Sequence, residues 1–227
     1  VTFASFESIH AEAYSRLNEE LGLDDFSAFL EDESTKAKID RLLNVKSDSL
    51  EEKAQSLAIF SAFTEGVNLF SSFAILMSFQ LRNLLKGTGQ IVEYSVRDES
   101  QHSMAGCWLF RTVLDENPHI NTDTLRKNIE SACELSVSLE FNFIDKVFEF
   151  GDIEGITSEQ LKNFIKERAN IKMIELGYHP IYNDIDPNLI KQMEWFSHLT
   201  SGKSQTDFFA NRVTDYTKSN ADWSDLI

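Results

Sequence analysis

The chain has 227 residues, 42% of them hydrophobic, with 21 Lys+Arg against 37 Asp+Glu and a formal net charge of −16. That length and apolar fraction are enough for the core of one domain or two small ones, which excludes bulk disorder. The acidic balance excludes general binding to nucleic acid and adhesion to anionic membranes. Cys107 and Cys133 have no C-x-x-C spacing and make no disulfide framework, which suits a reducing, cytoplasmic compartment. Val1 to Ser15 carries Glu7, His10 and Glu12 where a signal peptide needs an apolar stretch. The longest uncharged run, Gly66 to Leu81, is 16 residues and includes Asn68 and Gln80. It falls short of the roughly 20 apolar residues of a membrane span, so the reading is a soluble protein.

With 9 Gly and 3 Pro, the chain has little punctuation, and the spacing predicts long helices. In chain order they run over about Phe3–Leu21, Phe26–Leu43 and Ser49–Lys86, the last stopped by Gly87-Thr88-Gly89. Others follow at Gln90–Leu114, ending near Asn117-Pro118, then Thr122–Phe150, Ser158–Leu176 and Pro187–Trp195. Thr157-Ser158-Glu159-Gln160 has the form of a capping box, and Asp186-Pro187 places Pro at a first helical position. Sustained period-2 alternation is lacking, so a sheet is not expected. The expected organisation is a helical domain over residues 1–200 and a mobile tail over 201–227, where the composition turns polar and acidic.

Three features carry chemistry. Glu65 lies between the apolar runs Ala58–Phe63 and Leu69–Met77, in a helix that belongs in a core. A carboxylate there is costly unless it is paired, protonated or bound to a metal. Alternatively, Ser61, Glu65, Asn68 and Ser72 form a surface stripe. Glu7-Ser8-Ile9-His10 and Glu99-Ser100-Gln101-His102 are both Glu-x-x-His. Three residues turn a helix by roughly 300° and rise about 4.5 Å, which puts Glu and His side by side on one face. Two such motifs plus a single carboxylate on a separate helix match the pattern of ferritin-like di-iron and di-manganese bundles. Glu7, His10, Glu65, Glu99 and His102 are the candidate ligands. The donors suit iron or manganese, and without a thiolate they do not favour structural zinc. Tyr14 lies about 40° around and about 6 Å beyond His10, so it borders the same face. Leu69 and Phe73 fall near the face of Glu65 and would wrap it in apolar surface or simply pack. His119, His179 and His198 lie near Pro or loop signals and read as ordinary histidines.

These residues resemble the small, radical-generating beta subunit of class I ribonucleotide reductase. The similarity is carried by Phe6-Glu7-Ser8-Ile9-His10-Ala11-Glu12-Ala13-Tyr14, by Glu65-Gly66, by Val96-Arg97-Asp98-Glu99-Ser100-Gln101-His102, and by Asp207-Phe208-Phe209-Ala210-Asn211-Arg212-Val213-Thr214-Asp215-Tyr216. The resemblance implies an all-α, ferritin-like helical bundle with two iron ions, manganese or a mixed Mn/Fe pair being equally accepted by the ligands. It implies that the metals react with dioxygen to oxidise Tyr14 to a stable radical. Asp98 would hydrogen-bond His10 on the radical-transfer route, and Tyr216 would relay the radical to the large alpha subunit, which reduces the ribonucleotide. Asp222-Trp223-Ser224-Asp225-Leu226-Ile227 looks like the acidic, apolar tail that docks on that subunit, and a homodimer is expected. Family members also have an aspartate ligand upstream of the first Glu-x-x-His, and a transfer-route tryptophan further upstream. Neither has a counterpart before Glu7, so the chain resembles the C-terminal part of a member. Leu69 and Ser95 stand where many relatives carry larger or apolar residues.

Two other readings remain open. A di-iron oxidase or oxygenase of the same fold would have no use for Tyr216 or a docking tail. A helical interaction protein without a competent site would bind no metal.

Overall fold

Capping side chains at Ser49, Thr122, Thr157 and Asp186 open four of the described helices where the sequence places them. The structure, a computed structural model, describes residues 2–23, 35–37, 39–40 and 47–200. Helix α1 covers Thr2–Glu20. Ser49 and Glu52 form a capping box at the start of α2, Leu50–Ala58. Helix α3 is Phe70–Ser78, followed by a 3₁₀ turn at Phe79–Arg82, and α4 is Lys86–Glu116. Thr122 caps α5, Asp123–Glu149, and the Thr157–Gln160 capping box starts α6, Ser158–Glu175. Asp186 accepts from the Asn188 N–H and Pro187 opens α7, Pro187–Gln192, with α8 at Glu194–Thr200. Among the described residues there is no strand, only an isolated bridge between Ile153 and Ile156. No described helix is long and apolar enough to cross a membrane. Both cysteines are buried, and neither is in a disulfide among the described residues.

The 31-residue α4 is the central strut, packing against α1, α2, α3, α6 and α8. Phe63, Phe70, Met77 and Phe110 are fully buried in one continuous core. Gly106 on α4 lets Ser61 approach closely, since a Cβ there would lie 1.9 Å from the Ser61 hydroxyl.

Three boundaries depart from the sequence expectation. The segment expected as one helix over Ser49–Lys86 is α2, a π-helical stretch at Ile59–Thr64, a turn at residues 65–69, then α3 and the 3₁₀ turn. No Pro or Gly marks the π stretch, because its wider turn is selected by packing against α4 and α5. The stop expected at Gly87-Thr88-Gly89 lies instead at residues 83–85, where Asn83 and Leu85 take φ of 63° and 48°. Gly89 sits inside α4 and serves close packing, because a Cβ there would meet the Gln80 amide at 1.8 Å. The helix expected at Pro187–Trp195 divides at Met193 into α7 and α8. Most of the helix expected over Phe26–Leu43 and the whole tail 201–227, with Tyr216, lie outside the described residues.

Candidate metal centre

Glu7 and His10 share one face of α1, and Glu99 and His102 share one face of α4, as the i, i+3 spacing requires. The packing of α1 on α4 brings the two faces together. Glu65 joins them from the turn that follows the π stretch, half-buried beside buried Ser61 and Asn68, so the surface-stripe reading of this segment does not hold. The donors form two groups, Glu7–His10–Glu99 and Glu65–Glu99–His102, whose ligand atoms lie within 4.8 Å of one another. Glu99 belongs to both. Its two oxygens lie 3.5 Å from His10 Nδ1 and 4.0 Å from His102 Nδ1. Glu7 also spans the histidines, 3.9 Å from His10 Nδ1 and 3.3 Å from His102 Nδ1. Glu65 is 3.8 Å from His102 Nδ1.

Both imidazoles therefore turn Nδ1 toward the carboxylates. The other nitrogen of His10, Nε2, lies 3.0 Å from Asp98 Oδ2, so Nε2–H donates to Asp98 and leaves the Nδ1 lone pair for a cation. Phe6 stacks on His102, centroids 5.9 Å apart and 21° between planes, which holds that ring in orientation.

Burial pushes the Glu65 carboxyl up to about 7, and the charge of Glu7 adds to the effect. Glu99 is likewise pushed up to about 7, by burial first and then by the charges of Glu7, Glu65 and Asp98, while His10 draws it back. Among the described residues no Lys or Arg pairs with Glu7, Glu65 or Glu99, whose ion-pair partners are the two histidines. Three carboxylates and two imidazoles converging without a compensating cation fit a pair of divalent iron or manganese ions, which would reverse this repulsion.

Tyr14 lies one turn past His10, and its hydroxyl donates to Ser95 Oγ at 2.9 Å; Ser95 in turn donates to the Ile91 carbonyl at 3.2 Å. Burial raises the Tyr14 pKa, the Ser95 hydrogen bond opposes this, and the nearby Glu99 charge adds to the rise. The sequence marked Ser95 as unusual, but not as the partner of Tyr14. Arg97, next to Asp98, pairs with Glu93 and reaches the Thr200 carbonyl at the end of α8. Phe73 is buried edge-on against Phe70, while Leu69 is 38% exposed.

Residues 1–188 match the family model for ribonucleotide reductase, small chain. The chain belongs to the ribonucleotide reductase small-chain family. A probable ribonucleoside-diphosphate reductase small subunit of Invertebrate iridescent virus 3 is 32% identical over 244 residues, which cover 98% of this chain and 64% of the relative. The chain thus spans slightly less than two thirds of that relative's length. The ribonucleotide reductase R2 subunit from Clostridium botulinum has the same fold, with a TM-score of 0.74 at 22% identity, covering 86% of this chain and 63% of its own. The dimanganese(II) NrdF of Streptococcus sanguinis gives a TM-score of 0.68 at 20% identity, covering 83% and 67%. These likenesses establish the all-α, ferritin-like helical fold of the small-chain family for this chain.

Proposed function

We propose that this chain is the metal-binding and radical-forming part of a class I ribonucleotide reductase small subunit, acting with a separate large alpha subunit that converts ribonucleotides to deoxyribonucleotides. The observation that carries the reading is the pair of donor groups joined through Glu99, with Tyr14 one helical turn from His10. Glu7, His10, Glu65, Glu99 and His102 would hold two metal ions. Iron, manganese or a mixed pair suits them, and the dimanganese NrdF neighbour is in keeping with that choice. When bound, the metals supply reaction with dioxygen and a one-electron oxidant.

The chain's own residues do the rest. Asp98 holds the Nε2 proton of His10, keeping Nδ1 basic and the ring in place. Ser95 Oγ accepts the phenolic proton of Tyr14 in a hydrogen bond, and burial keeps that phenol neutral until an electron is withdrawn. Asp98 would continue the route toward the surface, Tyr216 would relay the hole, and the acidic residues 222–227 would dock on the large subunit. A homodimer in the cytoplasm is part of the same proposal.

The test is metal content per chain after loading with ferrous iron, then electron paramagnetic resonance after admission of air. Close to two irons are expected, with the ion of the Glu65–Glu99–His102 group lost in Glu65→Ala and that of Glu7–His10–Glu99 kept, and with a radical signal that Tyr14→Phe abolishes while metal content is kept. A signal of unchanged yield in Tyr14→Phe would overturn the radical assignment. Turnover unaffected by deletion of the residues after Asp215 would favour the oxidase reading.

A further inference from the structure

The turn that carries Glu65 has lost α-helical backbone pairings, that of the Gly66 carbonyl among them. In an α-helix the Gly66 carbonyl would accept from the Phe70 N–H, but Phe70 donates to the Val67 carbonyl at 3.1 Å. Gly66 is buried, and a Cβ there would lie 2.3 Å from the Ala62 carbonyl oxygen, 2.7 Å from Ser103 Oγ and 2.8 Å from Lys172 Cε. A carbonyl released by an unwinding helix in such a place needs a donor from elsewhere.

Helix α6, which contributes none of the candidate ligands, supplies it. Arg168 Nε donates to the Gly66 carbonyl at 3.0 Å. The same guanidinium lies 3.2 Å from the ring centroid of Phe70, the first residue of α3, and 5.8 Å from that of Phe164. One planar cation thus holds both ends of the turn, by a hydrogen bond just after Glu65 and by its face on the ring at the far end. Lysine would keep the charge but lacks the planar surface that lies over the Phe70 ring, so it would hold the turn less firmly. One turn further along α6, Lys172 packs beside Gly66 and pairs with Glu175 at 2.8 Å.

We propose that Arg168 is a positioning residue for Glu65: its hydrogen bond to the Gly66 carbonyl holds the unwound turn so that the Glu65 carboxylate stays in the group with Glu99 and His102. The proposal rests on the metal-site reading above. It differs from a merely scaffolding role in acting through Glu65, and a double-substitution cycle separates the two.

The experiment is manganese(II) titration of the whole chain, followed by loss of the free-ion resonance signal. It compares the parent chain, Arg168→Met, Arg168→Lys, Glu65→Ala and the double variants, with helicity checked by circular dichroism. Arg168→Met is expected to weaken binding about 10-fold or more, the range typical of groups that orient ligands, with Arg168→Lys in between. In the Glu65→Ala background the same substitutions should cause no further loss. Equal losses in both backgrounds, or parental affinity in folded Arg168→Met, would overturn the proposal. If Arg168→Met does not fold, the cycle is read with Arg168→Lys under the same criteria. A parent chain that takes up no manganese would overturn the metal reading itself, and this inference with it.

Discussion

The two Glu-x-x-His motifs have the same residues at the same spacing on two packed helices, yet the Glu7 side chain is 54% exposed and that of Glu99 is 7% exposed. Both carboxylates lie between the same two imidazoles. Water can stand in for Glu7, whereas Glu99 has been stripped of water and surrounded by like charge. Identical motifs therefore hold unequal positions, and the difference comes from what covers each helix rather than from the motif.

Removing each carboxylate breaks or sharpens that contrast. Glu99→Ala should cost the most, because both donor groups share this residue. Metal uptake should fall by more than the 10- to 100-fold typical of outer-sphere substitutions, while Glu7→Ala loses less; equal losses in titrations of the two variants would sink the contrast. Asp98→Asn should weaken binding by about 10- to 100-fold through the His10 group, since an amide no longer fixes the imidazole tautomer. Isothermal titration would show one affected and one spared site.

Stability against pH sharpens the same comparison. Glu65 and Glu99 hold protons more tightly in the fold, at about 7, than carboxyls do in an unfolded chain. The folded state therefore binds more protons between the two values, and the metal-free protein should lose stability as pH rises from about 4.5 through 7. Thermal melts from about pH 5 to about pH 8 should show a falling midpoint that manganese restores. Glu99→Gln should remove much of this dependence, and Glu7→Gln less, because Glu7 contributes only a charge from the wetter side.

The smallest effect should come at Tyr14. Phenylalanine there removes one hydrogen bond, to Ser95, worth about 1 kcal/mol. Chemical denaturation should register that change while manganese titration stays at the parental value.

Much of this was legible in one dimension. Thr157 with Gln160 and Asp186 with Pro187 announce helix starts because capping is local chemistry, satisfied within four residues. The Glu-x-x-His pairs are legible because a helix converts spacing of three into adjacency. Glu65 was readable as anomalous, but its setting in an unwound turn was not, since nothing between Ile59 and Thr64 breaks a helix by itself. Gly89 misled for the complementary reason: a glycine can serve close packing inside a helix as well as end one, and here the position of Gln80 decides which.

The sequence by itself determined the all-helical class and most of the helix ends, and it pointed to the five candidate donors and Tyr14, because each depends on periodicity or on contacts within a few residues; Asp98 came only through the family resemblance. The tertiary structure alone decided that Glu99 is covered while Glu7 is open, that Ser95 receives the Tyr14 hydroxyl across 81 positions, and that Arg168 reaches the Gly66 carbonyl across 102. Those pairings join residues on different elements, and no spacing along one element encodes the face that another will present to it.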